Sequence, residues 1–255
     1  MKICIIIPAY NEEKRIARTL DNYCGFFSEL KKKEKLDFEI LVVINNTTDR
    51  TEEIVKSHMK KCKELKYLNF RQGGKGFAVI EGFKYALERD FDIIGFTDAD
   101  MATEPREFYR LLNNLGNSDG VIGSRYLKNS IVAPRQTFSR ILVSRIFNFL
   151  IRILFLMPYR DTQCGAKIFR KEVVENVVSK LSLSQWAFDV DLLYNIRKEG
   201  FKITELSTKW SDKEYSKINF MGVGPWMALA LIRLRLLNSP FKEFVRFYNK
   251  ISRFI

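Results

Sequence analysis

One histidine, His58, occurs in the 255 residues, and the four cysteines, Cys4, Cys24, Cys62 and Cys164, form no C-x-x-C pair. That scarcity argues against a zinc centre. Cys4 falls in an apolar, strand-like run, so the thiols read as buried and reduced in a cytosolic protein. His58 sits in a helical, lysine-rich stretch, a surface position rather than a catalytic one. No apolar run reaches the ~18 residues of a membrane span. The longest, residues 147–157, is broken by Arg152. The chain starts directly into a strand, so no signal peptide is expected. Internal repeats, low-complexity tracts, linkers, a G-x-x-x-x-G-K-[ST] phosphate loop and nucleic-acid motifs are all missing. Carboxylates are outnumbered, 30 Asp+Glu against 43 Lys+Arg, for a net charge of +13. The surplus favours anionic partners: nucleotides, nucleic acid or an anionic membrane face.

What is present is a 46% hydrophobic chain, enough for one large α/β core or two small domains. Short β-branched runs at 2–7, 38–44, 66–70, 92–97 and 119–123 read as buried strands. Helical patterns lie between them, at roughly 12–34, 49–63, 75–89 and 104–116. The alternation predicts an α/β fold with a mostly parallel sheet covered on both faces. Beyond residue 125 it weakens: 134–157, 171–180, 186–199 and 222–255 read as helical, with one strand near 201–208. In such a sheet ligands bind beyond the carboxyl ends of the strands. An unusual polar cluster follows each of the first five: Pro8–Glu12, Asn45–Asp49, Gly73–Gly76, Asp98-Ala99-Asp100 and Gly123-Ser124-Arg125. Five clusters at one edge imply one composite site.

Asp98 and Asp100, at i and i+2 on extended backbone, point to one side and form a cradle for a divalent cation. Hard oxygen ligands suit Mg²⁺ or Mn²⁺, which pair one or two carboxylates with substrate phosphates. A polar turn is the plainer alternative. Tyr10 and Glu12 are placed to stack on and hydrogen-bond a nucleoside, or simply form a turn and an acidic first helical turn. Gly73–Gly76 allows close backbone approach and Lys75 adds a cation beside phosphate; a plain loop is the alternative. Arg125 can hold a phosphate, or be an ordinary surface arginine.

The stretches P-A-Y-N-E-E from Pro8, G-K-G-x-A-x-x-x-G from Gly74, D-A-D-x-A-T from Asp98 and G-S-R-Y from Gly123 resemble family 2 glycosyltransferases of the GT-A fold. Arg160–Lys167 (RDTQCGAK), Trp186–Tyr194 (WAFDVDLLY), Ser216-Lys217 and Ile232–Arg235 narrow the resemblance to the dolichyl-phosphate glucosyltransferase branch, close to the dolichyl-phosphate mannose synthases. It covers residues 2–237. It implies inverting transfer of a hexose from a nucleotide-sugar, UDP-glucose first and GDP-mannose next, to dolichyl or polyprenyl phosphate. A phosphate monoester is largely ionised at neutral pH, its second pKa being ~6, so it needs positioning cations rather than a strong base. The resemblance implies Mg²⁺ or Mn²⁺ on Asp98 and Asp100, and donor contacts from Pro8, Tyr10, Glu12, Asn45, Lys75, Asp98, Ala99, Asp100 and Lys217. Arg125 and Arg140 match acceptor-phosphate positions, with Arg135 a nearby substitute. Asp189 and Asp191 are candidates for contacting the sugar or orienting a cation; Asp189 alternatively caps the helix after it. Two departures stand out. Asn45-Asn46-Thr47-Thr48 replaces the usual Asp-Asp-Gly-Ser, and Asn both donates and accepts where Asp only accepts. Ala102 stands where mannose synthases often carry Gln, which favours the glucosyl branch.

The C-terminal stretch reads without any family. Ser239-Pro240 makes a plausible helix start. At ~100° per residue, Lys242, Arg246, Lys250 and Arg253 fall within ~80°, opposite Phe244, Phe247, Tyr248, Ile251, Phe254 and Ile255. A basic face opposite an aromatic one suits a helix lying in an anionic membrane surface; packing on the core is the alternative. Residues 134–157, with Arg145 and Arg152 on one face, are a second candidate. The expectation is a catalytic domain over 1–220, interfacial amphipathic helices over 221–255, and peripheral attachment at the cytoplasmic face of a membrane. A non-lipid acceptor and a non-catalytic nucleotide-sugar-binding protein are the competing readings. Nucleic-acid binding explains the charge but not the strand-end cluster.

Overall fold

The structure is a computed structural model of the chain. It describes residues 1–34, 36–134, 138–181, 187–211 and 220–239, with the backbone alone over 138–140 and 220–228. Four β/α pairs open the chain: β1 (Lys2–Ala9), α1 (Ile16–Glu34), β2 (Asp37–Asn45), α2 (Thr51–Met59), β3 (Leu65–Phe70), α3 (Lys75–Leu87), β4 (Ile93–Phe96) and α4 (Pro105–Asn113). β5 (Gly120–Ser124), β6 (Ile131–Ala133), α5 (Phe138–Phe155), β7 (Lys167–Arg170), α6 (Lys171–Val177), α7 (Phe188–Lys198), β8 (Ile203–Ser207), β9 (Lys209–Ser211) and α8 (Phe220–Leu237) complete it. The main sheet runs β3-β2-β1-β4-β7-β5-β8, and β6 pairs with β9 apart from it. The expected α/β architecture with a mostly parallel sheet flanked by helices is what forms.

Alternation along β1 explains the two covered faces. Ile3, Ile5, Ile7 and Ala9 pack into one cluster with Leu20, Tyr23 and Phe27 of α1 and Phe108 of α4. Cys4 and Ile6 point the other way, to Val79 and Phe83 of α3 and Leu192 of α7. A third cluster docks α5 and α8 onto α7 through Ile151, Phe155, Leu193, Leu231 and Leu234.

Three strands escape the sequence pattern: β6, β7 and β9. β7 matters most, because it inserts antiparallel between β4 and β5, pairing Phe96 with Lys167 and Ile122 with Lys167. It spans four residues and both its ends are basic, Lys167 and Arg170, so neither length nor alternation announces it. β1 also runs past residue 7, where the apolar run was expected to end, through Pro8 to Ala9. The Thr97 N–H donates to the Ile6 carbonyl at 3.0 Å, so Pro8, two residues on, faces the same side beyond the last β4 pair. No ladder bond is needed there. The helix expected over 222–255 ends at Leu237; residues 240–255, with the basic and aromatic faces assigned to them, lie outside the described residues.

Phe27 is fully buried and touches four aromatic rings, Tyr23, Phe26, Phe38 and Phe108. Phe27→Ala is expected to cost about 3–5 kcal/mol, seen as a lower urea midpoint at unchanged slope.

Candidate active site

The carboxyl ends of β1, β2, β3, β4 and β5 share one edge, and the reversal of β7 adds its amino end to them. α3 and α7 also begin there, presenting their positive dipole ends. Asp98 to Asp100 form a turn past β4 rather than a continued strand. Ala99 points into the core and its carbonyl accepts a hydrogen bond from the Thr19 hydroxyl at 2.7 Å. The Tyr23 hydroxyl donates to the Thr103 carbonyl at 2.9 Å. α1 thus braces the turn from behind.

Asp98 meets Lys75, the first residue of α3, at 2.7 Å from its Oδ1 to the ammonium. The same ammonium stands 3.8 Å from Asp189 Oδ2 in the first turn of α7. α3 and α7 come this close because Gly76 has no side chain: a Cβ there would lie 2.8 Å from that of Phe188. Asp189 does not cap α7, whose N-cap is Ala187. Its Oδ1 instead takes a 2.6 Å bond from the Lys167 ammonium, which is wholly buried and also donates to the Cys164 carbonyl at 2.6 Å. Gly165 packs so tightly on Asp98 that a Cβ would fall 2.0 Å from Oδ2.

These contacts make the two carboxylates of the turn unequal. Burial works against the Asp98 charge, but Lys75, then Lys167 and Arg125, hold its carboxyl below the usual range. Burial and the adjacent Asp98 charge push Asp100 up to about 6. Burial opposes the charge on Lys75 too, and Asp189 and Asp98 override it, raising the ammonium above its ordinary value. Arg15 is likewise kept charged against burial by Glu12, Asp100 and Asp98. Four cations, Arg15, Lys75, Arg125 and Lys167, thus face five carboxylates, Glu12, Asp98, Asp100, Asp161 and Asp189.

Several expected residues are placed differently from the sequence reading. Arg125 is not an open phosphate ligand: its Nε and Nη2 donate to Asp161 at 2.7 and 2.9 Å, and its backbone N–H adds a third bond at 3.0 Å. Its guanidinium also lies 5.3 Å from the Trp210 ring. Asn45 is 2% exposed. It donates to the Ala9 carbonyl at 3.0 Å and accepts the Gly74 N–H at 2.9 Å, tying β1 to the start of α3 rather than presenting its amide to a base. Glu12 is engaged by Arg15, Nε to Oε2 at 2.6 Å. Asp191 is buried and accepts from the Asn195 amide at 2.8 Å. Pro8 lies at the end of β1 and Tyr10 stands half exposed at the rim. Arg140 lies on α5, and its side chain, like Arg135 and Lys217, falls outside the described residues. Asp161, Lys167, Gly165 and Arg15 were given no role from sequence. The signal was there for three of them, in the D-T-Q-C-G-A-K run of Asp161 to Lys167, where two charges flank small residues beside an apolar strand.

A family model for glycosyl transferase family 2 matches residues 4–178, and the chain belongs to that family. A dolichyl-phosphate beta-glucosyltransferase of Dictyostelium discoideum is 31% identical over 91% of this chain and 73% of its own. One of Drosophila melanogaster is 33% identical over 86% and 69%. Glucosyl-3-phosphoglycerate synthase of Mycobacterium tuberculosis, solved with Mn²⁺, UDP and phosphoglyceric acid, superposes with a TM-score of 0.64 at 18% identity, over 92% of this chain and 77% of that one. The fold is therefore GT-A, and the protein is a family 2 glycosyltransferase.

Arg125→Met leaves a fully buried Asp161 charge unpaired, at a cost of about 3–5 kcal/mol. In the wild type, burial opposes the Asp161 charge, but Arg125 depresses its carboxyl below 3.8. The stability this gives is present above that pH and lost on further acidification. In the variant the guanidinium is gone and only the residue-125 N–H and the Lys167 charge still oppose burial, so the carboxyl rises and stability is expected to rise as pH falls from 7 to 5. Urea denaturation across that range checks both signs.

Proposed function

We propose that the protein transfers a hexose from a nucleotide-sugar, UDP-glucose favoured and GDP-mannose next, to dolichyl or polyprenyl phosphate, with inversion at the anomeric carbon. The observation that carries this is the meeting of Asp98, Asp100, Lys75 and Asp189 at one strand edge, in a chain whose relatives are dolichyl-phosphate beta-glucosyltransferases. Lys75, at the start of α3, is placed to meet the donor diphosphate, and Asp189 beside it to meet the sugar. Pro8, Tyr10 and Glu12 edge the nucleoside side, with Asn45 bracing the loops there; Lys217 is assigned to the donor phosphates from the family resemblance. Attack by an acceptor phosphate oxygen on the anomeric carbon breaks the bond to the diphosphate, which leaves with the electron pair. No proton need be removed, because the phosphate is already ionised.

Asp98 and Asp100 fit a hard divalent cation: two carboxylates, one pushed up towards neutrality by burial and by the other, gain from a positive charge between them. Among the described residues no three or more His, Cys, Asp or Glu side chains are arranged to hold a metal ion by themselves, so Mg²⁺ or Mn²⁺ here would be completed by substrate phosphates. When bound, the ion neutralises charge on the leaving diphosphate. Arg125, locked to Asp161, serves the acceptor phosphate through its remaining N–H groups and its positive field. Arg135 and Arg140 are assigned to the acceptor phosphate from the family resemblance.

The outer face of α5 and α8 favours a lipid over a soluble acceptor. Leu142, Ile146, Phe149, Ile153 and Leu156 recur at intervals of four and three and are all strongly exposed; Leu229, Ile232 and Leu236 extend the patch on α8. No Asp or Glu occurs between residues 120 and 160. An apolar stripe without acidic residues suits the cytoplasmic face of an anionic membrane, and no helix of the described residues is long and apolar enough to cross one. We assign residues 1–220 to the catalytic domain and 221–255 to interfacial helices, α8 joining α5 at the surface.

Radiolabelled UDP- and GDP-sugars, offered with short polyprenyl phosphate and Mn²⁺, are expected to give metal-dependent label in the organic phase from one donor. Asp100→Ala should lower it by about a hundred- to a thousandfold, on the scale of a lost electrostatic stabiliser. Donor binding without lipid labelling on any acceptor would refute the reading. Separately, Phe149→Glu/Ile153→Glu should weaken binding to anionic vesicles by about tenfold or more, since each buried apolar side chain contributes roughly 1.5–3 kcal/mol. Unchanged flotation in the double variant would remove this face from the membrane contact.

A further inference from the structure

A lysine with no exposed surface is rare, because desolvating an ammonium costs several kcal/mol. Lys167 is such a residue. It lies in the middle of the sheet, opposite Phe96 on one side and Ile122 on the other, where an aliphatic side chain would pack without that cost. Its ammonium sits 5.3 Å from the centre of the Phe96 ring, and that of Lys75 lies 5.8 Å from the same centre.

The two hydrogen bonds of this ammonium point in functional directions. Asp189 gives it Oδ1 and so turns Oδ2 towards Lys75. The Cys164 carbonyl, held at 2.6 Å, fixes the peptide that leads into Gly165. Gly165 is the residue against which Asp98 rests. One buried charge therefore sets a carboxylate on α7 directly and a carboxylate after β4 through a backbone contact. The rest of the loop is already restrained without it: Asp161 by Arg125, and the Thr162 N–H by Asn148 Oδ1 at 3.1 Å. Stability alone thus has other supports.

We propose that Lys167 is a positioning residue for sugar transfer, holding Asp189 and the Gly165 peptide so that Asp189, Lys75 and Asp98 keep their mutual spacing. The proposal rests on the glycosyl-transfer reading of the site. Lys167 touches neither donor nor acceptor in this arrangement; it acts through Asp189 and Gly165.

The test compares Lys167→Met, Asp189→Asn and the double variant, each with the donor that the wild type uses. Lys167→Met is expected to lower kcat by about a hundredfold or more, the scale of a misplaced group, while donor KM and UDP·Mn²⁺ affinity by calorimetry stay within threefold. The double variant should lose well under the product of the two single losses, because the two substitutions share the Asp189 carboxylate. A kcat within threefold of wild type in folded Lys167→Met overturns the proposal, as does a parallel loss of UDP·Mn²⁺ binding, which marks general collapse of the site. If Lys167→Met alone fails to fold, the double variant removes both charges together and is expected to fold. A kcat about a further hundredfold below Asp189→Asn, the full product of independent losses, would then refute the assignment. A crystal structure of Lys167→Met, or of the double variant in that case, gives a readout independent of turnover: the residue-189 side chain should have left the vicinity of Lys75, and finding it unmoved overturns the proposal. A wild type that labels no lipid from any donor would instead sink the functional reading, and the crystal structure would still judge Lys167.

Discussion

Between β4 and β5 the chain of β7 passes its neighbours in the opposite sense, and its ladder pairs Ile93 with Arg170 and Phe96 with Lys167. A parallel strand in that place would bring only a carboxyl end to the site. The reversed strand brings an amino end, so the loop before it, with Asp161, Cys164 and Gly165, is delivered onto the turn after β4. An antiparallel pair can be joined by a short turn; the connection from β5 to β7 instead runs through β6, α5 and the loop after it. The helix that covers the third cluster and the loop that builds the site are therefore parts of one connection.

The charges brought together in this way stabilise one another in pairs but leave a deficit. Glu12 has Arg15, Asp161 has Arg125, and Asp189 has Lys167. Lys75 stands between Asp98 and Asp189. Asp100 has no such partner at short range among the described residues and accepts the Ala102 N–H at 2.9 Å. The surplus negative charge accordingly resides on the residue nearest the place where a positive ion and a diphosphate would add little net charge between them. A partly desolvated site that stays near balance both empty and loaded avoids the penalty of an uncompensated buried charge.

The architecture was readable in the sequence because β1, β2 and β4 are short apolar runs that alternate with helical periods, and because polar residues crowd the strand ends. Asp98, Asp100 and Lys75 stood out on the same grounds, Asp189 only through the family resemblance of Trp186–Tyr194, and they do converge. β7 was not readable. Four residues with basic ends carry neither period, and only the tertiary ladder makes them a strand. The pairing of Arg125 with Asp161 spans 36 residues, and nothing local in G-S-R-Y states that its guanidinium is already taken. Asn45 shows the same limit from the other side. Its place at the end of β2 was evident, but the turn of its amide towards Ala9 and Gly74 depends on how three loops meet.

Gly76 and Gly165 place the site on missing atoms. α3 reaches α7 where Gly76 leaves room for Phe188, and Asp98 rests where Gly165 leaves room for its carboxylate. Every other amino acid is larger than glycine, so tolerance at these two positions is one-sided. A core leucine can drift to methionine or isoleucine and back, whereas each first step away from these glycines adds volume in the direction of a charged group or its support. Variation in the protein is thereby channelled away from the two contacts and into the loops around them.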